Sequence, residues 1–495
     1  MRSKHQNSRS RAGVVATACV LGLCCWSGMA ATPAHAQTTS RKLTNFEAAS
    51  HVLNRLAFGP RAGEVPDTVR MGWQDWAEQQ LEPDKIDDSA AEKMIAERCP
   101  SLSWSLTKLY EHEGKKDDKK DALKKELADS VLLRAVYSQR QFQEVMVEFW
   151  RNHFNVDFNK VPYLAAHYEE HAIREHVFGR FEDLLLATAK HPAMRVYLDN
   201  YISRRYGINE NYGRELMELH TLRADNGYTQ HDVIDLARVL TGWTCGWRPG
   251  PSERRQYESF FDSNMHDTGP ASVVGLSLDG RAGEEEGERA IHHLARLPGT
   301  AHFISLKLCR YLVNDNPPET LVERTAQAFQ RHLGDLREVY RAILFSPEFM
   351  EAANYRAKFK TPFMFVASAL RTTDANIEST DRLHEELKLM GQPLCEFLEP
   401  TGYSQQAEAW RDPGIMVYRW NLAIEIVQGK LDGVKIGPAF EKQMLKKSNL
   451  ARTKQAMLMV LPGVNDAATE KLISQSGDLQ VMVALALGSP GFQQR

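Results

Sequence analysis

Most of the short motifs that announce an enzyme are missing from this sequence. It contains no GxSxG elbow, no GxxxxGK[ST] loop, no GxGxxG fingerprint and no CxxCH haem attachment. Hydride transfer on a nucleotide fold, P-loop phosphoryl transfer and c-type electron transfer are set aside on that ground. Cysteine is scarce, 7 of 495 residues, and no CxxC pair occurs, so a zinc ribbon or a thioredoxin-type centre is excluded. Positive charge is not in excess either: Lys and Arg total 61 against 64 Asp and Glu, for a formal net charge of -3. That balance argues against a nucleic-acid partner. Beyond the N-terminal stretch, no segment reaches the roughly 18 continuous apolar residues of a membrane span, and no permanent anchor is expected.

What is present begins with a leader. Arg2, Lys4, Arg9 and Arg11 precede an apolar stretch from Ala12 to about Ala31, followed by Ala34-His35-Ala36 and Gln37. This pattern reads as a secretory signal peptide over residues 1–36, and the mature chain 37–495 is expected in the periplasm or secreted. A lipoprotein reading fits less well, because Leu23 precedes Cys24 where a small residue is wanted. Loss of the leader removes four positive and no negative charges, shifting the formal net charge from -3 to -7. Cys99, Cys245, Cys309 and Cys395 remain, widely separated. In an oxidising compartment they form one or two disulfides or stay as buried thiols; the spacing leaves both open.

Apolar residues recur at three- and four-residue spacing along most of the chain, which predicts an all-α protein built as one large multi-helix unit. Phe46, Ala49, Val52, Leu53 and Leu56 form one stripe, and Phe142, Val145, Met146, Phe149 and Trp150 form another that runs to His153. Further helices are expected at about 163–190, 209–222, 229–242, 284–296, 300–313, 318–333, 335–345, 361–372, 413–429, 437–448, 450–461 and 477–488. Thr229 with Asp232 is a capping-box variant. Gly114 to Glu126 is nearly all charge of mixed sign and reads as a solvated hairpin tip or helix start. Residues 246–283 form a Gly-, Pro- and Ser-rich excursion. Its two β-prone runs, Tyr257 to Phe261 and Ser272 to Leu276, suggest a small hairpin, and so long an irregular stretch inside a helical unit is often functional.

The densest polar stretch is Asn209 to Leu222, which interleaves Asn209, Glu210, Asn211, Arg214, Glu215, Glu218 and His220 with Tyr212, Leu216, Met217 and Leu219. On an ideal helix of about 100 degrees per residue, Asn211, Arg214, Glu215 and Glu218 share a side, while His220 lies roughly 140 degrees or more from both carboxylates. Glu215 and Glu218 are then close enough to share a cation, a substrate hydroxyl or one proton. Arg214 is expected to hold both carboxylates ionised, which suits a base or a ligand better than an acid. The structural alternative has these carboxylates paired with arginines and His220 bonded to a backbone carbonyl. His153, at the end of an apolar stripe, has the position of a core histidine. His167 and His171, one helical turn apart with Glu175 following, have spacing that a metal can use. His266-Asp267 falls in the irregular excursion, where polar pairs often act on ligands.

Several motifs occur together in order: His51 to Pro60 (HVLNRLAFGP), Phe149 to Phe154 (FWRNHF), His191-Pro192-Ala193-Met194 with Tyr197-Leu198-Asp199-Asn200, Asn209 to Leu222, Gly227-Tyr228-Thr229-Gln230, Leu240-Thr241-Gly242-Trp243 and His266-Asp267. In this the chain resembles the bacterial family catalogued as domain of unknown function 1800, over nearly all of the mature sequence. The resemblance implies an exported protein, commonly encoded beside a second exported protein that resembles the alkaline phosphatase and sulfatase superfamily. It implies no activity. Two positions depart from the family pattern. Arg223 stands where glycine usually follows His-Thr-Leu, and Pro270-Ala271 replaces a stretch that usually contains lysine.

The sequence thus leads to an extracytoplasmic hydrolase or related acid/base enzyme acting on an envelope polymer or conjugate. Glu215, Glu218, His220, His153, Arg214, His266 and Asp267 are the expected catalytic groups. Asn209, Asn211, Asp199, Asn200 and Trp243 are the expected substrate contacts, and a divalent metal is an open option. The alternative is a non-enzymatic helical partner of a co-exported protein, with the Asn209 to His220 cluster fixing helix register. A further reading gives His167 and His171 to metal storage or delivery.

Overall fold

The computed structural model describes residues 41–113, 118–224, 226–246, 257–445, 449–464 and 466–495. The segment 1–36 expected to be a leader, the tip of the charged run at 114–117 and part of the excursion at 247–256 lie outside the described residues. The fold is all-α. Among the described residues, β structure is confined to three short two-stranded antiparallel ladders, and no helix is long and apolar enough to cross a membrane.

Helix α1 (Asn45–Arg55) starts on a capping box in which the Thr44 hydroxyl accepts from the Glu47 N–H and the Glu47 carboxylate accepts from the Thr44 N–H. Its stripe of Ala49, Val52, Leu53 and Leu56 is fully buried. The motif from His51 to Pro60 is spent on packing: His51 Nε2 lies 2.8 Å from the Phe349 carbonyl, and Arg55 donates to that of Asn354. Gly59 adopts φ 92, and a Cβ there would meet Ser368 Oγ at 2.5 Å, so no larger residue fits the turn. Helix α2 (Gln141–His153) buries Phe142, Val145, Met146, Phe149 and Trp150. Trp150 Nε1 donates to Tyr340 Oη at 2.6 Å, and Tyr340 in turn donates to the Val177 carbonyl. This buried relay fixes the end of α2 that carries His153.

The long helix expected at 163–190 is broken. Ala165–Tyr168 is α-helical, Glu169–Ile173 widens into a π-turn, Arg174–His176 tightens into 3-10 form, and α3 (Phe181–Lys190) follows. Buried ion pairs hold the wide turn: Arg151 meets Glu169 at 3.0 Å, Arg134 meets Glu170, and Arg174 is bidentate on Glu144 at 2.7 and 2.9 Å. Carboxylates at this depth are stable only when paired in this way.

The helix expected at 209–222 is likewise two pieces, α4 (Asn211–Glu215) and a π-turn over Leu216–Thr221. Helix α5 (Gln230–Val239) has the anticipated Thr229/Asp232 capping box. The excursion does not fold as one hairpin. Strand β1 (Trp243–Cys245) pairs with β2 (Ser259–Phe261), Trp243 opposite Phe261, whereas β3 (Ala271–Val273) pairs with β4 (Leu276–Leu278). The two β-prone runs therefore belong to separate ladders, and the small hairpin expected in the excursion is the β3–β4 pair. Helices α6 (Glu284–Arg296) and α7 (Pro298–Leu312) pack against the π-turn, α8 (Glu319–Arg331) and α9 (Leu336–Leu344) pack in turn on α7, and α10 (Pro362–Thr372) follows. Helix α7 begins two residues earlier than expected because Pro298 occupies its first position. Short helices at Asp381–Leu389 and Ala467–Ser474 had no strong sequence signal. Among the described residues the main apolar core draws on the chain from Ala49 to Phe492, with a small separate cluster at Phe359, Ala407, Trp410 and Met416.

Cys99, Cys245, Cys309 and Cys395 are free thiols, each pushed up to about 12 mainly by burial. They are poorly poised for exchange or oxidation. Arg223, directly after the π-turn, has φ 74, the left-handed conformation that glycine adopts without penalty. Arg223→Gly should therefore raise the unfolding free energy by about 0.5 to 1 kcal/mol, read by chemical denaturation. A loss of stability on this change would show that the arginine side chain outweighs the backbone strain.

Candidate functional site

The polar run from Asn209 is built against α5 and the segment before it. Asn209 Oδ1 accepts from the Asn211 N–H at 2.9 Å, the Asn209 N–H donates to Ser203 Oγ, and Asn211 Nδ2 donates to the Leu198 carbonyl. Gly213 allows the helix to approach α5, since a Cβ there would stand 3.2 Å from the Ala237 nitrogen and 3.3 Å from the Val233 carbonyl oxygen. Past Glu215 the pattern becomes i→i+5: the Leu222 N–H bonds to the Met217 carbonyl at 2.8 Å, and Thr221 Oγ1 donates to the Leu216 carbonyl. A wide turn advances less than about 100 degrees per residue, so His220 does not take the azimuth counted on an ideal helix. Such turns are frequent at functional sites because they re-aim side chains without ending the helix.

The outer face carries the carboxylates. Arg214 lies 3.1 Å from Glu210 and 3.5 Å from Glu218 and also bonds to Gln230. Arg214 pulls the Glu215 carboxyl down, but burial and Glu218 outweigh it, so that carboxyl is raised from the ordinary carboxylate value. It also acts on Tyr197, whose hydroxyl is raised first by burial and then by Asp157, with Glu215 and Glu399 adding to the shift.

Inside lies the second cluster. His153 Nε2 is 3.3 Å from the His220 carbonyl, and His153 Nδ1 is 2.7 Å from Lys307 Nζ on α7. A carbonyl can only accept, so Nε2 carries the imidazole proton and Nδ1 accepts from the lysine. The His153 and His220 rings are 6.0 Å apart, with Phe154 5.0 Å from His220. Burial, Lys307 and His220 hold His153 well below the ordinary histidine range. Burial and Lys307 bring His220 down to about 3, and its Nε2 has no hydrogen-bond partner among the described residues. Lys307 itself is lowered to about 8 by burial, and no carboxylate lies within ion-pair distance of it among the described residues. Its ammonium also lies 5.5 Å from the Phe303 ring centroid. The sequence reading missed Lys307. The available signal was one lysine inside the apolar run from Phe303 to Cys309.

Other candidates are placed elsewhere. His266 Nδ1 donates to the Thr241 carbonyl at 2.9 Å, and its ring meets Phe261 edge-on. Asp267 pairs with Arg238 at 3.1 Å and accepts from the Gly269 N–H. No hydrogen bond, ion pair or ring contact joins His266 or Asp267 to Glu215, His153 or His220 among the described residues. Trp243 is buried under Arg195, whose guanidinium carbon is 5.0 Å from the ring centroid, so it offers no open stacking face. Asn200 donates to the Leu240 and Trp243 carbonyls. Asp199 has φ 60 and pairs with Lys160 at 3.1 Å.

A strap crosses this end of the molecule. Asn155 donates to the Phe397 and Glu399 carbonyls, Asn152 exchanges two bonds with the Tyr403 backbone, and Tyr197 Oη donates to the Leu398 carbonyl at 2.8 Å. The asparagines flanking His153 thus anchor the 397–403 segment. A groove of about 660 Å³ opens elsewhere, between Phe46 and Met457 to Leu461, and none of these site residues lines it.

His167 Nδ1 is 2.9 Å from His191 Nε2, and His191 Nδ1 accepts from the Ala193 N–H, so the His191 proton sits on Nε2 and points at His167. His171 turns to Glu175 at 2.7 Å. Among the described residues, no three His, Cys, Asp or Glu side chains are arranged to hold a metal ion.

These elements define a helical protein in which a partly buried lysine meets a buried histidine beside a carboxylate-bearing π-turn. The chain belongs to the family described as protein of unknown function (DUF1800), whose model matches residues 51–494. No curated protein and no solved structure matches it.

Lys307 also carries a stability signature. Because its folded value lies below the unfolded one, the unfolded chain binds more protons between about pH 8 and 10.5, and the cost of burying the ammonium fades as pH rises through that window. Relative to wild type, Lys307→Met should be favoured most below about pH 8, with the advantage shrinking toward pH 10.5 in parallel denaturant titrations. A difference that does not change with pH would place the lysine at an ordinary value.

Proposed function

We propose that the protein is an exported acid/base enzyme, a hydrolase or related catalyst acting on a polymer or conjugate of the cell envelope. The observation that carries this reading is the contact of Lys307 Nζ with His153 Nδ1 at 2.7 Å, made by a lysine lowered to about 8 and lacking a carboxylate partner among the described residues. A lysine that serves structure is usually neutralised by a carboxylate. One held near neutrality by burial is suited to take a proton from an attacking water or hydroxyl. His153 keeps a lone pair toward the amine and thereby aims it. Glu215, raised by burial and by Glu218, is assigned the return of a proton to a leaving oxygen. The leader-like residues from Arg2 to Ala36 support the exported location.

A second reading rests on a separate observation. Asn200, Asn211, His266 and Asp267 are each tied by at least one hydrogen bond or ion pair to the surrounding protein, as expected of a scaffold that presents a surface to a co-exported partner resembling the alkaline phosphatase and sulfatase superfamily.

The test is release of soluble fragments from purified envelope polymer. Lys307→Met and Lys307→Arg should each lower the rate about 100-fold or more, because arginine keeps the charge but cannot act as a base. Melting temperatures should stay within a few degrees of wild type, and the wild-type rate should rise with pH to an inflection near 8. Full activity in both variants would overturn the acid/base reading. Co-purification with the partner at fixed stoichiometry, without any turnover, would establish the scaffold in its place.

A further inference from the structure

The segment that leads into the polar run makes a tight projecting turn. The Arg204 N–H donates to the Gly207 carbonyl and the Gly207 N–H returns the bond. The turn is pinned at two more points, by the Arg205 N–H on the Met265 carbonyl at 2.8 Å and by the Asn209 N–H on Ser203 Oγ at 3.1 Å. Its side chains nonetheless face water: Tyr206 is 86% exposed and Ile202 is 52% exposed, and both arginines are exposed. Neither Arg204 nor Arg205 has a carboxylate partner among the described residues, although Asp199 and Glu210 lie close in the chain and pair with Lys160 and Arg214 instead. The Arg205 guanidinium carbon lies 4.8 Å from the Tyr206 ring centroid, which holds the ring and the cation as one unit.

An ordinary solvated turn does not need an aromatic ring this exposed, and two unpaired guanidinia on a pinned backbone are ready for an anion. From this juxtaposition we infer that the Arg204-Arg205-Tyr206 turn binds an acidic polysaccharide, with the guanidinia on its carboxylates and the tyrosine ring against a sugar face. The inference deepens the proposed function by naming its substrate class. The carboxylates of the run that follows select the class: Glu210, Glu215 and Glu218 stand 4, 9 and 12 residues beyond Tyr206. They would repel a phosphodiester or polyphosphate chain, which offers them no hydroxyl donors in compensation, but they accept hydrogen bonds from the hydroxyls of an acidic glycan, which outnumber its carboxylates. The preset backbone lowers the ordering cost of binding.

Calorimetric titration of the purified protein with polygalacturonate tests this, with dextran, polyphosphate and a single-stranded oligonucleotide titrated alongside. The acidic glycan should bind in preference to the other three, more weakly as salt rises. The double substitution Arg204→Ser/Arg205→Ser should weaken binding about tenfold or more, and Tyr206→Ala should weaken it severalfold. Circular dichroism and melting temperature should be unchanged, because these side chains are exposed. Lys307→Met should bind as wild type does, so failure of the lysine chemistry and failure of this surface are read separately. Absence of polygalacturonate binding, equal binding by the turn variants, or tighter binding of polyphosphate or oligonucleotide would each overturn the inference.

Discussion

The bond between Lys307 Nζ and His153 Nδ1 sets the constraint to which the neighbouring structure conforms. A lysine moved from water to this depth without a carboxylate bears a desolvation cost on the order of a few kcal/mol, less whatever solvent still screens it. That cost is tolerated because three elements are locked around the amine. Helix α2 is fixed by Trp150 and Tyr340, α7 presents the lysine between Leu306 and Leu308, and the π-turn at Leu216–Thr221 supplies the His220 carbonyl that determines which His153 nitrogen is free. A regular α-helix through 216–221 would advance by a different angle and shift that carbonyl.

Two wide turns thus do related work in different chemistry. At Glu169–Ile173 the turn seats carboxylates among Arg134, Arg151 and Arg174, an ion-paired layer packed on α2. At Leu216–Thr221 it separates two electrostatic zones on one short stretch, with Glu215 and Glu218 on the outer side and His220 buried. The asparagines on either side of His153 reach the strap at 397–403, so the motif from Phe149 to Phe154 joins core packing, strap anchoring and the lysine contact.

Much of this was legible from residue pattern. The capping residues Thr44 and Thr229, the stripe ending at His153 and the helix Glu284–Arg296 follow from periodicity and local hydrogen bonding, which act over a few residues. The π-turns were not legible, because a 3.6-residue period assumes the very geometry they abandon. Strand pairing was misassigned for a similar reason: β2 pairs with β1, a partner outside the excursion as drawn, and composition does not encode register. The upward shift at Glu215 was not legible from Arg214 alone, because its burial depends on the whole fold. Lys307 escaped notice because its meaning comes entirely from His153, more than 150 residues away. The glycine missing at Arg223 was visible in sequence, and its φ of 74 gives the physical reason that glycine suits the position.

The central claim is that Lys307 exchanges its proton near neutrality beside a neutral His153. Its side chain titration, followed by NMR on protein carrying 13C at the lysine ε-carbons and assigned by comparison with Lys307→Arg, tests that claim most directly. One lysine resonance absent from the variant should titrate near pH 8, with His153 uncharged throughout. A Lys307 resonance that titrates near the ordinary lysine value of about 10.4 would contradict it.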